Sequence, residues 1–190
     1  MAGSVIVLSG ASSIGKGRIK KLLLNDPDLN LLFATSMTTR PKKENEVDGV
    51  DYFFTDTKSF ANAIKNKELL EYTEFNGYYY GTPKAQIQFL LSQNKNILIC
   101  VDAQGVGPIK LNLPDAICFF IVPKSMDDLL KAISDKYSDD TASMNLRLNK
   151  AKMEMEISPL FNNLITIDKV DRAYNEIKEI ILKEWNKKGE

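Results

Sequence analysis

Two groups of residues in this chain have the types and spacing to do chemistry, and neither contains a histidine, because the 190-residue sequence has none. That absence excludes Ser/His/Asp and Cys/His nucleophilic catalysis, histidine metal sites and histidine general-base chemistry together. The first group is Gly10-Ala11-Ser12-Ser13-Ile14-Gly15-Lys16, which reads G-x-x-x-x-G-K. Glycines let such a loop curl until its N–H groups face an anion, and the lysine reaches the terminal phosphates. Directly after the lysine stand Gly17 and Arg18, where these loops usually carry a Ser or Thr hydroxyl for Mg2+. Either the ion is held through waters and the phosphates, or the site on that side is weakened.

The second group lies downstream: Ser36, Thr38-Thr39-Arg40, Lys43, Asp48-Gly49-Val50-Asp51-Tyr52, Glu71 and Tyr79-Tyr80-Gly81-Thr82-Pro83. It offers an arginine fork and a lysine for phosphate, phenols that can hydrogen-bond phosphate oxygens, and a carboxylate that can accept from a base. Each has a plainer reading alone. Tyrosines in short strands often just pack, and Arg40 or Glu71 in isolation suits a solvated surface.

These residues need elements to hold them. Ser4–Leu8 is a β-branched run, and Lys16–Leu24 has a helical pattern, so the loop sits between strand and helix as a phosphate loop requires. Leu31–Ser36 reads as a strand and Thr38–Gly49 as a polar loop. Val50–Gly81 holds short aromatic segments with the turn signal Asn76-Gly77, which predicts a small hairpin-bearing subdomain. Lys84–Gln93 looks helical, and Asn96–Asp102 is an apolar run ending in an acid, as suits a buried central strand. A crossover helix should begin at Gln104–Leu111, followed by a strand at Ala116–Val122. Lys124–Lys152 carries alternating charge and few apolar anchors, which predicts a mobile, solvated helical flap; Leu164–Ile167 and Val170–Trp185 read as a last strand and helix. Strands alternating with helices predict a parallel sheet in an α/β fold.

Composition fits one soluble unit. Lys plus Arg and Asp plus Glu number 25 each, so no global charge draws the chain to nucleic acid or an anionic membrane. No apolar stretch approaches the ~20 residues that span a bilayer, and the opening Met1-Ala2-Gly3-Ser4 is no signal peptide, so a cytoplasmic protein is expected. Cys100 and Cys118 sit in apolar runs and read as buried thiols in a reduced compartment.

In order behind the loop, S-M-T-T-R, E-V-D-G-V-D-Y-F-F, L-L-E-Y-T-E-F and Y-Y-Y-G-T-P make the chain resemble guanylate kinases from Val5 to the final helix. The resemblance implies a P-loop three-layer α/β/α fold with a parallel sheet core at about 1–34, 84–123 and 153–190. It also implies a small β-rich GMP-binding subdomain at about 35–83 and a helical lid at about 124–152. ATP would lie on Gly10, Ala11, Ser12, Ser13, Ile14, Gly15, Lys16 and Gly17, with Lys136 from the lid. The GMP phosphate would fall to Arg40, Lys43, Tyr52 and Tyr80, and guanine to Glu71 and Thr82 with Ser36 nearby. A carboxylate at 71 suits guanine because it can accept from N1–H and the exocyclic amine together, a donor pair adenine lacks. Asp102-Ala103-Gln104-Gly105 resembles the family's D-x-Q-G segment, with Asp102 an outer-shell partner of Mg2+, and Arg147 matches a lid arginine that bridges both nucleotides.

Departures cluster on the ATP side: Gly17-Arg18, Cys100 for an acid, Leu146 for a basic residue, Ala132 and Lys136 for arginines, and Ile167 for an adenine-contacting Asn. On the GMP side, Lys43 replaces an arginine and loses the bidentate fork. The implied activity is Mg-dependent transfer of the ATP γ-phosphoryl group to GMP by a monomer or homodimer, with Lys16, Arg40, Asp102 and Arg147 at the reacting phosphates. A GMP-binding module with weak or no kinase activity is the alternative, and a kinase for another nucleoside monophosphate is a third.

Overall fold

The computed structural model describes residues 3–11, 14–136, 140–158 and 161–189, so Ser12, Ser13 and part of the acidic Ser138-Asp139-Asp140 run lie outside it. A five-stranded parallel sheet in the order β2-β7-β1-β8-β9 forms the centre, from β1 (Val5–Gly10), β2 (Leu31–Phe33), β7 (Asn96–Cys100), β8 (Ile117–Pro123) and β9 (Asn163–Ile167). Every residue of β1 is buried because both faces are covered. Ile6 and Leu8 pack with Ile19 and Leu23 of α1 (Lys16–Asn25) and with Ala173, Ile177 and Ile181 of α7 (Val170–Gly189). Val5 and Val7 point the other way, onto Ile87 of α3 (Lys84–Ser92) and Val106 and Ile109 of α4 (Ala103–Asn112). The two-residue strand period thus builds the three-layer α/β/α core.

A second sheet, β4-β3-β6-β5, stands beside it, from β3 (Met37–Thr38), β4 (Phe53–Phe54), β5 (Leu69–Phe75) and β6 (Tyr78–Pro83). Asn76 and Gly77, both at positive φ, turn β5 into β6 as their sequence predicts. Between β4 and β5 runs a helix absent from the sequence reading, α2 (Thr57–Lys65). Its signals are an Asp56 cap accepting from the Ser59 N–H at 2.8 Å and a buried Phe60/Ala63 pair. The strand expected at 31–36 stops at Phe33, and the loop expected from Thr38 begins one strand residue late.

The expected solvated flap also needs correction. Residues 126–136 and 141–157 form α5 (Met126–Lys136) and α6 (Thr141–Ile157), and α6 runs unbroken through position 152. One face is buried: Leu129, Ile133 and Ala151 pack on Ala11 of the glycine loop, with Met144, Leu148 and Met155 beside them. The anchors at 144, 148, 151 and 155 follow helical spacing but are interleaved with charge.

Candidate functional site

β1 ends at Gly10, whose φ of 140° and position leave no room for a side chain: a Cβ there would meet the Ile121 carbonyl oxygen at 2.4 Å. Gly15, at φ 96°, caps α1, so Lys16 is the first helical residue. The Lys16 ammonium bends back to donate to the Gly10 carbonyl. Burial holds it below its ordinary pKa, a shift that Lys150 reinforces and Glu154, Cys100 and Asp102 oppose. Gly17 has open space around it and Arg18 is exposed on α1.

Above the loop opens a cleft of about 600 Å3 between the sheets and α6. It brings together Lys16, Ser36, Arg40, Lys43, Tyr52, Glu71, Tyr80, Asp102 and Arg147, contributed by both sequence groups, by the residue that caps α4 and by α6. Thr82 does not line it; fully buried behind Glu71, it donates from Oγ1 to Glu71 Oε1 at 2.5 Å. Ala11, within the loop, is buried, and Lys136 ends α5 with its side chain outside the described residues. Two other cavities, of about 560 and 820 Å3, share Pro114, Asp115 and Ala116 and contain no residue of the glycine loop or the aromatic segments.

Within the cleft, Arg40 donates to both carboxylate oxygens of Glu46, at 2.7 and 3.0 Å, and Glu46 also accepts from the Lys43 N–H at 2.9 Å. The guanidinium carbon lies 5.4 Å from the Tyr52 ring centroid, and Tyr52 meets Tyr80 edge-on at 6.0 Å. Burial raises the Tyr52 phenol above its ordinary pKa, so it stays a donor. Glu71 is 5% exposed, and burial pushes its carboxyl up to about 7, with Asp102 adding to the rise and Thr82 opposing it. Gly105 on α4 backs this carboxylate so closely that a Cβ there would lie 2.8 Å from Oε2.

Asp102 caps α4, accepting from the Gly105 N–H at 3.1 Å through Oδ1, and its Oδ2 accepts from Lys150 Nζ at 2.9 Å. Cys100, expected to be a buried thiol, is half-buried and lines the cleft, and burial raises it to about 11. Sequence reasoning missed Glu46, Phe75, Lys150 and Glu154, all of which line the same space. The signal for the last two was their place at i+3 and i+7 from Arg147 on one helix face. Chemically, five cations (Lys16, Arg40, Lys43, Arg147 and Lys150) set among four carboxylates (Glu46, Glu71, Asp102 and Glu154) in one cleft can hold a phosphorylated ligand while reading a hydrogen-bond donor edge beside it.

Residues 2–184 match the family model described as guanylate kinase. The curated guanylate kinase of Mesoplasma florum is 35% identical over 182 residues, 96% of this chain and 61% of that relative, so this chain spans about six-tenths of its length. A crystal structure of guanylate kinase from Anaplasma phagocytophilum shares the fold with a TM-score of 0.75 at 23% identity, covering 96% of this chain and 86% of that one. The SH3-kinase fragment of tight junction protein 3 matches at a TM-score of 0.50 and 15% identity, over 96% of this chain and 57% of that one.

Proposed function

This chain belongs to the guanylate kinase family, and from that premise we propose that it transfers the γ-phosphoryl group of ATP to GMP, giving GDP and ADP, with Mg2+ as cofactor. One observation carries the reading: the glycine-loop lysine and Glu71, whose carboxylate Thr82 holds from behind, open into the same cleft.

Lys16 and the loop amides hold the ATP β- and γ-phosphates. Arg40, Lys43, Tyr52 and Tyr80 hold the GMP phosphate, for which Glu46 must release Arg40. Glu71, ionised, accepts from guanine N1–H and the amine, with Ser36 beside the base and Thr82 fixing the carboxylate from behind. A GMP phosphate oxygen then attacks the γ-phosphorus in line; the bond from that phosphorus to the β,γ-bridging oxygen breaks and ADP leaves. Little covalent help is needed, because two oriented anions and neutralised charge account for most of such a barrier. Lys16, Arg40 and Arg147 supply that charge, and closure of α5 and α6 excludes water.

For the metal, no group of three or more ligating side chains occurs among the described residues. Mg2+ keeps several waters and needs only one or two carboxylates beside phosphate oxygens. Asp102, on the cleft wall, fits an outer-shell role for an ion carried in on the nucleotide. When bound, the ion supplies charge neutralisation at the β- and γ-phosphates. Among the described residues no helix is long and apolar enough to cross a membrane.

A second reading, a GMP-binding module with weak or no kinase activity, is favoured by the missing hydroxyl at position 17 and by Ala132 and Ile167 in the ATP half. Competition among GMP, AMP and UMP, with GDP formation followed in parallel, tests both. Selective GMP binding with turnover supports the kinase; selective binding without turnover leaves the module; binding of AMP or UMP with equal affinity overturns the guanine assignment.

A further inference from the structure

We infer that Lys150 is a further phosphate-binding residue of the transfer site, and that its ion pair with Asp102 is the position it occupies until a polyphosphate draws it away. The inference rests on the kinase reading. The backbone of Lys150 is fixed: the next residue, Ala151, is fully buried against the cluster that includes Ala11 of the glycine loop. Its side chain therefore enters the cleft on the same helix face as Arg147. Lys150 Nζ lies 2.9 Å from Asp102 Oδ2 and 4.5 Å from the centroid of the Phe75 ring, over which Arg147 also sits, at 5.3 Å. Lys16 faces the same cleft from the glycine loop, near enough for its charge to oppose that of Lys150.

A structural latch between α6 and α4 is the plainer explanation, but it accounts for the charge poorly. A partly exposed ion pair contributes little net stability, while a second ammonium near Lys16 costs free energy in an empty cleft. An apolar residue at 150 could pack on Phe75 without that repulsion. A triphosphate between Lys16 and Lys150 reverses its sign. Lysine suits the exchange, because three donors on a flexible stem can leave Asp102 for phosphate oxygens without moving the helix. The departure of Lys150 would also free Oδ2 of Asp102 for water bound to the incoming ion.

The latch and the phosphate ligand differ in what the two partners' variants do to ATP binding measured without metal. Calorimetric titrations of metal-free ATP and of GMP are made on the full chain as wild type, K150M, K150R and D102N. As a phosphate ligand, Lys150→Met weakens ATP by about tenfold or more, the scale for losing one hydrogen bond between charged groups, and leaves GMP within threefold. Lys150→Arg restores most of the loss. Asp102→Asn leaves metal-free ATP binding unchanged or tighter, because it releases the ammonium. As a latch, K150M and D102N weaken ATP alike, and that result overturns the inference; so does K150M with unchanged ATP affinity. Unchanged GMP affinity shows that each variant is folded. Wild-type turnover with an unaffected K150M sinks this inference and leaves the kinase standing. ATP binding without wild-type turnover sinks the kinase reading while the metal-free titrations still decide on Lys150, and a wild type that binds no ATP sinks both.

Discussion

Guanine recognition should switch on with pH, because the carboxylate that must be ionised to accept from the base is held protonated by its own burial. Glu71 sits at about 7 against an ordinary 4.5, with burial as the largest cause. Ionised Glu71 rises from about one part in eleven at pH 6 to about ten in eleven at pH 8, so GMP affinity should rise about tenfold over that interval. The phosphate of GMP also titrates near pH 6, and Glu71→Gln isolates that contribution because the amide does not titrate. Calorimetric titration of GMP from pH 6 to 8 should give a steeper rise for the wild type than for Glu71→Gln, and at pH 8 the variant should bind more weakly. The same group has a stability signature of opposite sign. Below 4.5 it is protonated folded and unfolded alike; as pH rises toward about 7 the unfolded chain releases a proton the folded chain keeps, and stability falls. The interval amounts to about 3.5 kcal/mol at most, at about 1.4 kcal/mol per tenfold. Urea unfolding of ligand-free protein at pH 5 and 8 should show this loss, absent in Glu71→Gln. Parallel pH profiles of wild type and variant, in binding and in stability, would refute the burial argument.

Gly105→Ala places a Cβ 2.8 Å from Glu71 Oε2 and 3.2 Å from its carboxyl carbon, an overpacking that costs about 1–3 kcal/mol; GMP affinity should fall by about tenfold in calorimetry while ATP affinity holds. Gly10→Ala meets the Ile121 carbonyl oxygen at 2.4 Å on a backbone at φ 140°; thermal unfolding should show a loss of several degrees or no folded protein. Phe75→Ala removes the ring beneath Arg147 and Lys150; steady-state kinetics should show a lower kcat, with GMP affinity changed by less than threefold.

The parts of the fold most legible in the sequence were those where backbone geometry restricts residue type. Gly10 and Gly15 stand where positive φ is required, and Asn76-Gly77 where a hairpin must close. The central strands were legible because burial on both faces demands unbroken apolar runs such as NILIC. Helix α2 went unseen because nearby aromatic segments dominated the pattern, although Asp56 and the Phe60/Ala63 spacing announce it. The buried face of α6 was hidden because Ala151 and Met144 are weak apolar signals among lysines and glutamates. Within the cleft, residue types pointed to phosphate and base chemistry, but pairings between distant segments did not show. Lys150 meets Asp102 across 48 positions, a distance no local pattern reports. Glu46 was passed over for a different reason: an acid beside Arg40 and Lys43 looks like ordinary surface charge until both are seen on it.

The most direct test of the central claim is a coupled assay of GDP and ADP formation from GMP, ATP and Mg2+, run on wild type beside Lys16→Ala. The account predicts turnover by the wild type, with equal amounts of GDP and ADP, and its loss by at least a hundredfold in the variant. GMP binding without turnover in the wild type, or turnover that survives the loss of Lys16, would contradict it.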